Sequence, residues 1–179
     1  MIKEVELDHA FAETLAENLE FQRWLLSNGR FSRHADKATL LVEEQTHARK
    51  SAKHWWKHWW CELPDGSENE TDIFLVFEVE GSRFALHVED KPAHGKLELR
   101  QAVDYRRRAA FKSNAVDWLD YSDFEVLLLA PAEFVERHSK CAAQFDRVIT
   151  YEQVACFVPL FQAALSPLPA ASNGLTRRP

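Results

Sequence analysis

The chain has 179 residues, 46% of them hydrophobic, which suffices for one compact domain with a sizeable core. Its formal charge of -6 and pI of about 5.8 exclude a surface that is basic throughout, so a nucleic-acid partner would need a local basic patch and metal ions. The opening MIKEVELDHAF has no basic stretch before an apolar run, and no apolar segment approaches the roughly 18 residues of a membrane span, so a cytoplasmic protein without a membrane partner is expected. Cys61, Cys141 and Cys156 have no CxxC spacing, which argues against a disulfide framework or a Cys-rich zinc site and fits a reducing compartment.

Residues 4–26 read as one amphipathic helix, with Leu7, Phe11, Leu15, Leu19 and Leu26 near helical spacing and Asn28-Gly29 as its stop. A second helix is expected from about Ala35 to Lys53, continuing through HWWKHWW, and ELPDGSENET reads as a polar turn region. TDIFLVFEV, the turn Glu80-Gly81 and SRFALHVEDK then make a hairpin. A helix is expected over 96–112, carrying LRQAVDYRRRAAFK. FEVLLLA at 124–130 is a buried strand ended by Pro131. AEFVERHSKCAAQF reads as helical, RVITY as a short strand and EQVACFVPLFQAAL as a closing helix. This order predicts one α/β domain over 1–165 with a central mixed sheet flanked by helices: an N-terminal helical extension over 1–30, then a core over 36–155. The Pro/Ser/Gly-rich stretch 166–179 predicts a disordered tail.

Glu80-Gly81 suits a two-residue hairpin loop, with glycine where positive φ is often needed. That loop pairs Val79 with Ser82, Glu78 with Arg83, Phe77 with Phe84, Leu75 with Leu86 and Ile73 with Val88. Opposite charges meet and one face is apolar on both strands, which a slipped register would not give. Asp72 then falls across from Glu89, and Lys91, two residues on, shares the face of Glu89. Facing carboxylates repel unless a proton or cation sits between them. Hard oxygen ligands suit Mg2+ or Mn2+; a solvated rim of two acids and a lysine is the plainer alternative.

At these residues the sequence resembles the PD-(D/E)xK nuclease superfamily. Asp72, a hairpin and then Glu89-Asp90-Lys91 look like its signature. Gln101-Ala102-Val103-Asp104-Tyr105, beginning ten residues after Lys91, resembles the QxxxY element of the RecB-like branch. The family often has a glutamate on the helix before the hairpin. LLVEEQTHARK offers Glu44, placed towards a buried stripe by its spacing from Leu40, Leu41 and Ala48, with Glu43 as the rival. The match spans roughly residues 36–110, and it departs from the pattern in having Thr71 rather than proline before Asp72.

The resemblance implies a restriction-endonuclease-like core and hydrolysis of phosphodiester bonds in DNA. It implies a divalent ion, Mg2+ or Mn2+, on Asp72, Glu89 and the backbone carbonyl of Asp90. Lys91 would orient the attacking water or neutralise developing charge, and Glu44 would reach the metal through water. Gln101 and Tyr105, four apart on one helix face, would position water or phosphate. Arg108, with Arg100, Arg106, Arg107 and Lys112, would hold the DNA backbone, although such a charge run is commonly a solvated face. Small single-domain members often dimerise, so a homodimer is expected.

KHWWKHWW stands apart. His54 and His58 are at i,i+4 spacing with Glu62 continuing the series, but no further zinc ligand is apparent. Trp55, Trp56, Trp59 and Trp60 would stack on unpaired bases or, more often, fill a core. Two adjacent pairs cannot all point one way, so burial of some and exposure of others is expected. Two other readings compete with the nuclease. One is a catalytically inactive nuclease-fold protein acting as a DNA-binding or assembly module, which the acidic pI favours and the intact acid–lysine set disfavours. The other is an unrelated α/β domain, such as a toxin-system or phage accessory protein, in which the triplet is coincidental.

Overall fold

The stretch expected as one N-terminal helix forms two, α1 (Glu4–Glu17) and α2 (Leu19–Ser27), in the computed structural model, which describes residues 2–165. The tail expected over 166–179 lies outside the described residues. The break falls at Asn18, whose backbone leaves helical space (φ -119, ψ 100) and whose side-chain oxygen accepts from the Phe21 N–H at 3.0 Å. The bend lets Phe11 and Phe21 meet edge to face, 5.2 Å between ring centroids. After α2 the chain passes the Glu125–Arg147 ion pair at Gly29, where a Cβ would lie 2.5 Å from the carboxylate and 2.7 Å from the guanidinium. Only glycine fits there without displacing that pair.

The second expected helix is largely replaced. A 3-10 turn at Ser32–His34 leads to strand β1 (Thr39–Leu40), and the helix that follows, α3, covers only Val42–Ala48. HWWKHWW is not helical: His58 takes a left-handed φ of 63, and β2 (Trp59–Glu62) pairs antiparallel with β3 (Glu68–Thr71), inside the stretch expected to be a turn. Burial supplies the reason. Trp55 and Trp56 join the core on one face of the main sheet, while Trp59 joins the core on the other. A helix would place Trp55, Trp56 and Trp59 on neighbouring positions of one stripe and could not divide them between faces.

The hairpin is built from β4 (Ile73–Val79) and β5 (Ser82–Asp90), with Val79↔Ser82, Glu78↔Arg83, Phe77↔Phe84, Leu75↔Leu86 and Ile73↔Val88 as expected. Both loop residues have positive φ, Glu80 at 51 and Gly81 at 80, as a primed turn requires. Helix α4 (Leu99–Lys112) then crosses to β6 (Asp123–Ala130). Next come α5 (Ala132–Arg137), α6 (Ser139–Ala142), β7 (Arg147–Thr150), α7 (Tyr151–Val154) and α8 (Pro159–Leu165). The closing helix is split because Pro159 lacks the N–H that a continuous helix needs.

Among the described residues the main sheet has five strands in the order β1-β4-β5-β6-β7. Its β1/β4 and β4/β5 pairs are antiparallel and its β5/β6 and β6/β7 pairs parallel, so the sheet is mixed, with α4 as the crossover into the parallel half. Alternation along the strands gives it two apolar faces. Ile73, Leu75, Phe77, Leu86, Val88, Leu127 and Leu129 pack against α1, α2, α7 and α8, whereas Val126, Leu128 and Ala130 pack against α4, α5 and α6. The β4 edge beyond β1 is covered. Gln45 of α3 accepts from the Val76 N–H at 2.8 Å and donates to the Phe74 carbonyl at 2.9 Å, and the Phe74 N–H donates to the Trp56 carbonyl at 3.0 Å. No helix among the described residues is long and apolar enough to cross a membrane.

Candidate active site

The chain turns from β3 into β4 at Asp72, one residue beyond the Ile73↔Val88 pair, and this brings it beside the end of β5. Thr71 is anchored first: its hydroxyl lies 3.3 Å from His87 Nδ1, His87 Nε2 lies 3.1 Å from the Tyr121 hydroxyl, and Tyr121 donates to the Ala109 carbonyl at 2.6 Å. This buried chain ties β3, β5 and α4 together directly behind the Asp72 backbone. Asp72 Oδ2 then accepts from the Asp90 N–H at 3.1 Å, and the Asp72 N–H donates to the Tyr105 hydroxyl at 3.3 Å. On the same side of β5, Lys91 Nζ forms an ion pair with Glu89 Oε1, and Gln101 Nε2 donates to that oxygen in a contact of 2.5 Å. Asp72, Glu89 and Lys91, expected together from the hairpin register, and Gln101 and Tyr105, expected from the family resemblance, therefore lie close together.

The site is rich in negative charge. Glu89 is only 1% exposed; burial first, and the Asp72 carboxylate second, push its pKa up to about 8 against the pull of Lys91. Burial works against the Lys91 ammonium, yet Glu89 and Asp72 outweigh it and hold the lysine above its ordinary value. Burial and the same two acids raise Tyr105 well above the usual phenol range, so its hydroxyl stays protonated and bonds to Glu89. Burial, with the nearby Asp72 carboxylate adding to it, disfavours charge on Glu89, and a cation bound between the two acids would relieve both effects. With all-oxygen donors, and few of them, the fit is to an ion of the magnesium class, which keeps several waters and takes one or two protein carboxylates.

Asp90 is different. Its side chain projects to the opposite face of the sheet, where Tyr151 donates to Oδ1 at 2.6 Å and Asp8 of α1 faces it. Asp8 Oδ1 and Asp90 Oδ2 are fully buried with no hydrogen-bond partner, which disfavours the charged form of either acid. Burial, then Asp90, Asp72 and Glu4, push Asp8 up to about 10, and burial holds Asp90 well above the carboxylate range. Glu4, one turn before Asp8, is raised by burial and by Asp72 and lowered by Lys91 and Lys57, so α1 leans its first turn into the field of the site. Neither acid belongs to a motif in the sequence. Asp8 carried a usable signal, since it falls inside the Leu7, Phe11, Ala12, Leu15 stripe where an apolar residue is the rule.

Other expected residues lie differently. Glu44 and Glu43 are exposed on α3 and it is Gln45 that turns inward, because this short helix starts at Val42 and uses that position to bind the β4 edge. Arg108 is not on an accessible stripe: it is 1% exposed, with its guanidinium stacked 4.1 Å from the centre of the Tyr105 ring, and it buttresses that tyrosine from within. The rest of the basic run is engaged locally. Arg106 pairs with Asp146, Arg107 with Asp65 and Asp104, Arg100 with Asp104, and Lys112 with Asp117. His54 and His58 do not form a helical pair, for His58 turns to Glu70 at 2.9 Å. Trp55, Trp56 and Trp59 are buried while Trp60 stays 53% exposed. Comparison with protein-family models, with curated proteins and with solved structures finds no match to this chain.

Proposed function

We propose that this chain is a metal-dependent nuclease that hydrolyses phosphodiester bonds of DNA on a restriction-endonuclease-like core. The observation that carries this reading is the convergence of Asp72, Glu89 and Lys91 at the end of the β4–β5 hairpin, with Gln101 bound to Glu89. Asp72 and Glu89 would hold Mg2+ or Mn2+, which supplies an activated water and neutralises charge on the phosphate. Lys91 holds the Glu89 carboxylate and presents its ammonium to the negative charge that develops during attack. Gln101 fixes the orientation of Glu89, and Tyr105, braced by Arg108, fixes the Asp72 backbone. Glu4, whose carboxyl feels both Asp72 and Lys91, would supply the supporting acid expected of Glu44, which is exposed on α3. A cytoplasmic setting agrees with the free state of Cys61, Cys141 and Cys156. A homodimer would bring two such sites to the two strands of a duplex.

A specific observation favours the alternative of an inactive DNA-binding or assembly module. Arg100, Arg106 and Arg107 are engaged with local acids, which leaves little free positive charge on α4 for a phosphate backbone. One assay separates the two: incubation with plasmid, linear and single-stranded DNA in Mg2+ or Mn2+. The nuclease reading expects cleavage that disappears with chelator and falls by about 10²–10⁴ in Asp72→Ala and Lys91→Ala. Binding without cleavage under all conditions identifies the module, and cleavage that survives Lys91→Ala refutes the assignment of roles.

A further inference from the structure

A second group of donor side chains lies on the outer side of α1, away from the acids described above. His9 and Glu13 are one turn apart and share a face, with His9 Nδ1 3.7 Å from Glu13 Oε1. His54, on the loop between α3 and β2, brings its ring to 5.0 Å from that of His9. One donor atom from each of the three residues lies within 4.8 Å of the other two. His54 is held in this position by Trp56, stacked on it at 5.1 Å and 26°, and Trp56 is itself fully buried.

We propose that His9, Glu13 and His54 form a binding site for a divalent transition ion of the zinc class. Two imidazoles and one carboxylate suit zinc and discriminate against magnesium, which prefers oxygen. Metal–ligand bonds of about 2.0–2.1 Å in a tetrahedron separate the donors by about 3.3 Å, so closure asks for a contraction of about 1.5 Å at most. His9 is exposed and Glu13 and His54 are half-buried, so His9 and Glu13 have freedom to rotate towards His54. The exposure of His9 leaves the fourth position to water. His9 is exposed where the adjacent Asp8 is buried, so this site and the acid cluster occupy different sides of α1.

The ion would join two segments distant in sequence. Helix α1 carries Glu4 and Asp8 inward, and the loop carries Trp55 and Trp56 into the core before β2 and β3 lead to Asp72. Occupancy would therefore clamp α1 to the loop that precedes β2. The inference stands independently of the nuclease reading, because its donors and its readout are separate from DNA cleavage.

The test is titration of the full chain with Zn2+ and with Co2+ in excess Mg2+, so that any oxygen-ligand site open to Mg2+ is competed away. Expected are saturable binding of one zinc per chain, the visible absorption of four-coordinate cobalt, a change in tryptophan fluorescence from Trp56, and a rise in thermal midpoint. His9→Gln, at an exposed position, and His54→Ala should each weaken zinc binding at least about tenfold. His58→Ala and Asp72→Ala should leave it unchanged. Absence of one-to-one binding, or full affinity in His9→Gln, overturns the proposal; so does loss of binding in Asp72→Ala, which would assign the ion to the acid cluster.

Discussion

Glu89 and Asp90 are consecutive acids on β5, and the two faces of that strand give them opposite surroundings. Glu89 looks towards α4, where Lys91, Gln101 and the Tyr105 hydroxyl gather around it and Asp72 stands opposite. Asp90 looks towards α1 and α7, where it meets Tyr151 and a second buried acid, Asp8. On the first face the excess negative charge has a lysine beside it. On the second no lysine is paired with the acids, and burial favours their protonated forms. Burial alone therefore does not mark a catalytic acid. The neighbours decide whether a raised pKa serves chemistry or merely keeps two acids compatible with a core.

The largest effect that would sharpen this contrast concerns Asp8. Its pKa in the fold, about 10, lies above the carboxyl value of about 3.9 in an unfolded chain, so the folded state keeps a proton that the unfolded chain releases. The stabilisation is complete below about pH 4 and is lost as pH rises towards about 10, by at most about 1.4 kcal/mol per pH unit. Asp8→Asn should flatten the stability profile between pH 5 and 9 and raise stability at pH 8 by on the order of 2 kcal/mol, measured by denaturant melts. A variant with the wild-type slope would break the account of that face.

Next in size is Tyr151→Phe, which strips Asp90 Oδ1 of its 2.6 Å hydrogen bond. It should cost about 1–3 kcal/mol of stability, read as a lower urea midpoint at unchanged m-value, while metal-dependent cleavage at saturating substrate stays near wild type. Equal damage to cleavage and stability would merge the two faces. Gln101→Ala acts on the other side and should do the reverse. It should lower the cleavage rate by about tenfold and shift stability by no more than about 0.5 kcal/mol, because Gln101 is half-buried and touches the site only through Glu89.

The same contrast explains what could be read from the sequence. The Glu89 face is partly legible from local rules, since a two-residue turn sets the hairpin register and alternation assigns faces. Gln101 and Tyr105 are marked by the resemblance to the QxxxY element, and four-residue spacing adds only that they share one side of α4. The Asp90 face depends on contacts across the chain, from residue 8 to 90 and from 90 to 151, which no periodicity records. Glu44 was misplaced because α3 is too short to set its own phase; the demand of the β4 edge for a donor and an acceptor chose Gln45 instead. HWWKHWW failed for a related reason. Continuation of the helix expected from Ala35 to Lys53 would make it helical, but tryptophans claimed by opposite faces of the sheet pull the segment into a turn and a strand.

The central claim is that the pair Asp72 and Glu89 works as a metal-binding acid pair in phosphodiester cleavage. Its most direct test is the rate of plasmid cleavage in Mg2+ by wild type and by Glu89→Gln, a near-isosteric change that can keep contacts to Lys91 and Gln101. The account predicts Mg2+-dependent cleavage by wild type and a loss of about 10²-fold or more in Glu89→Gln with the fold retained. Cleavage by Glu89→Gln at the wild-type rate would contradict it.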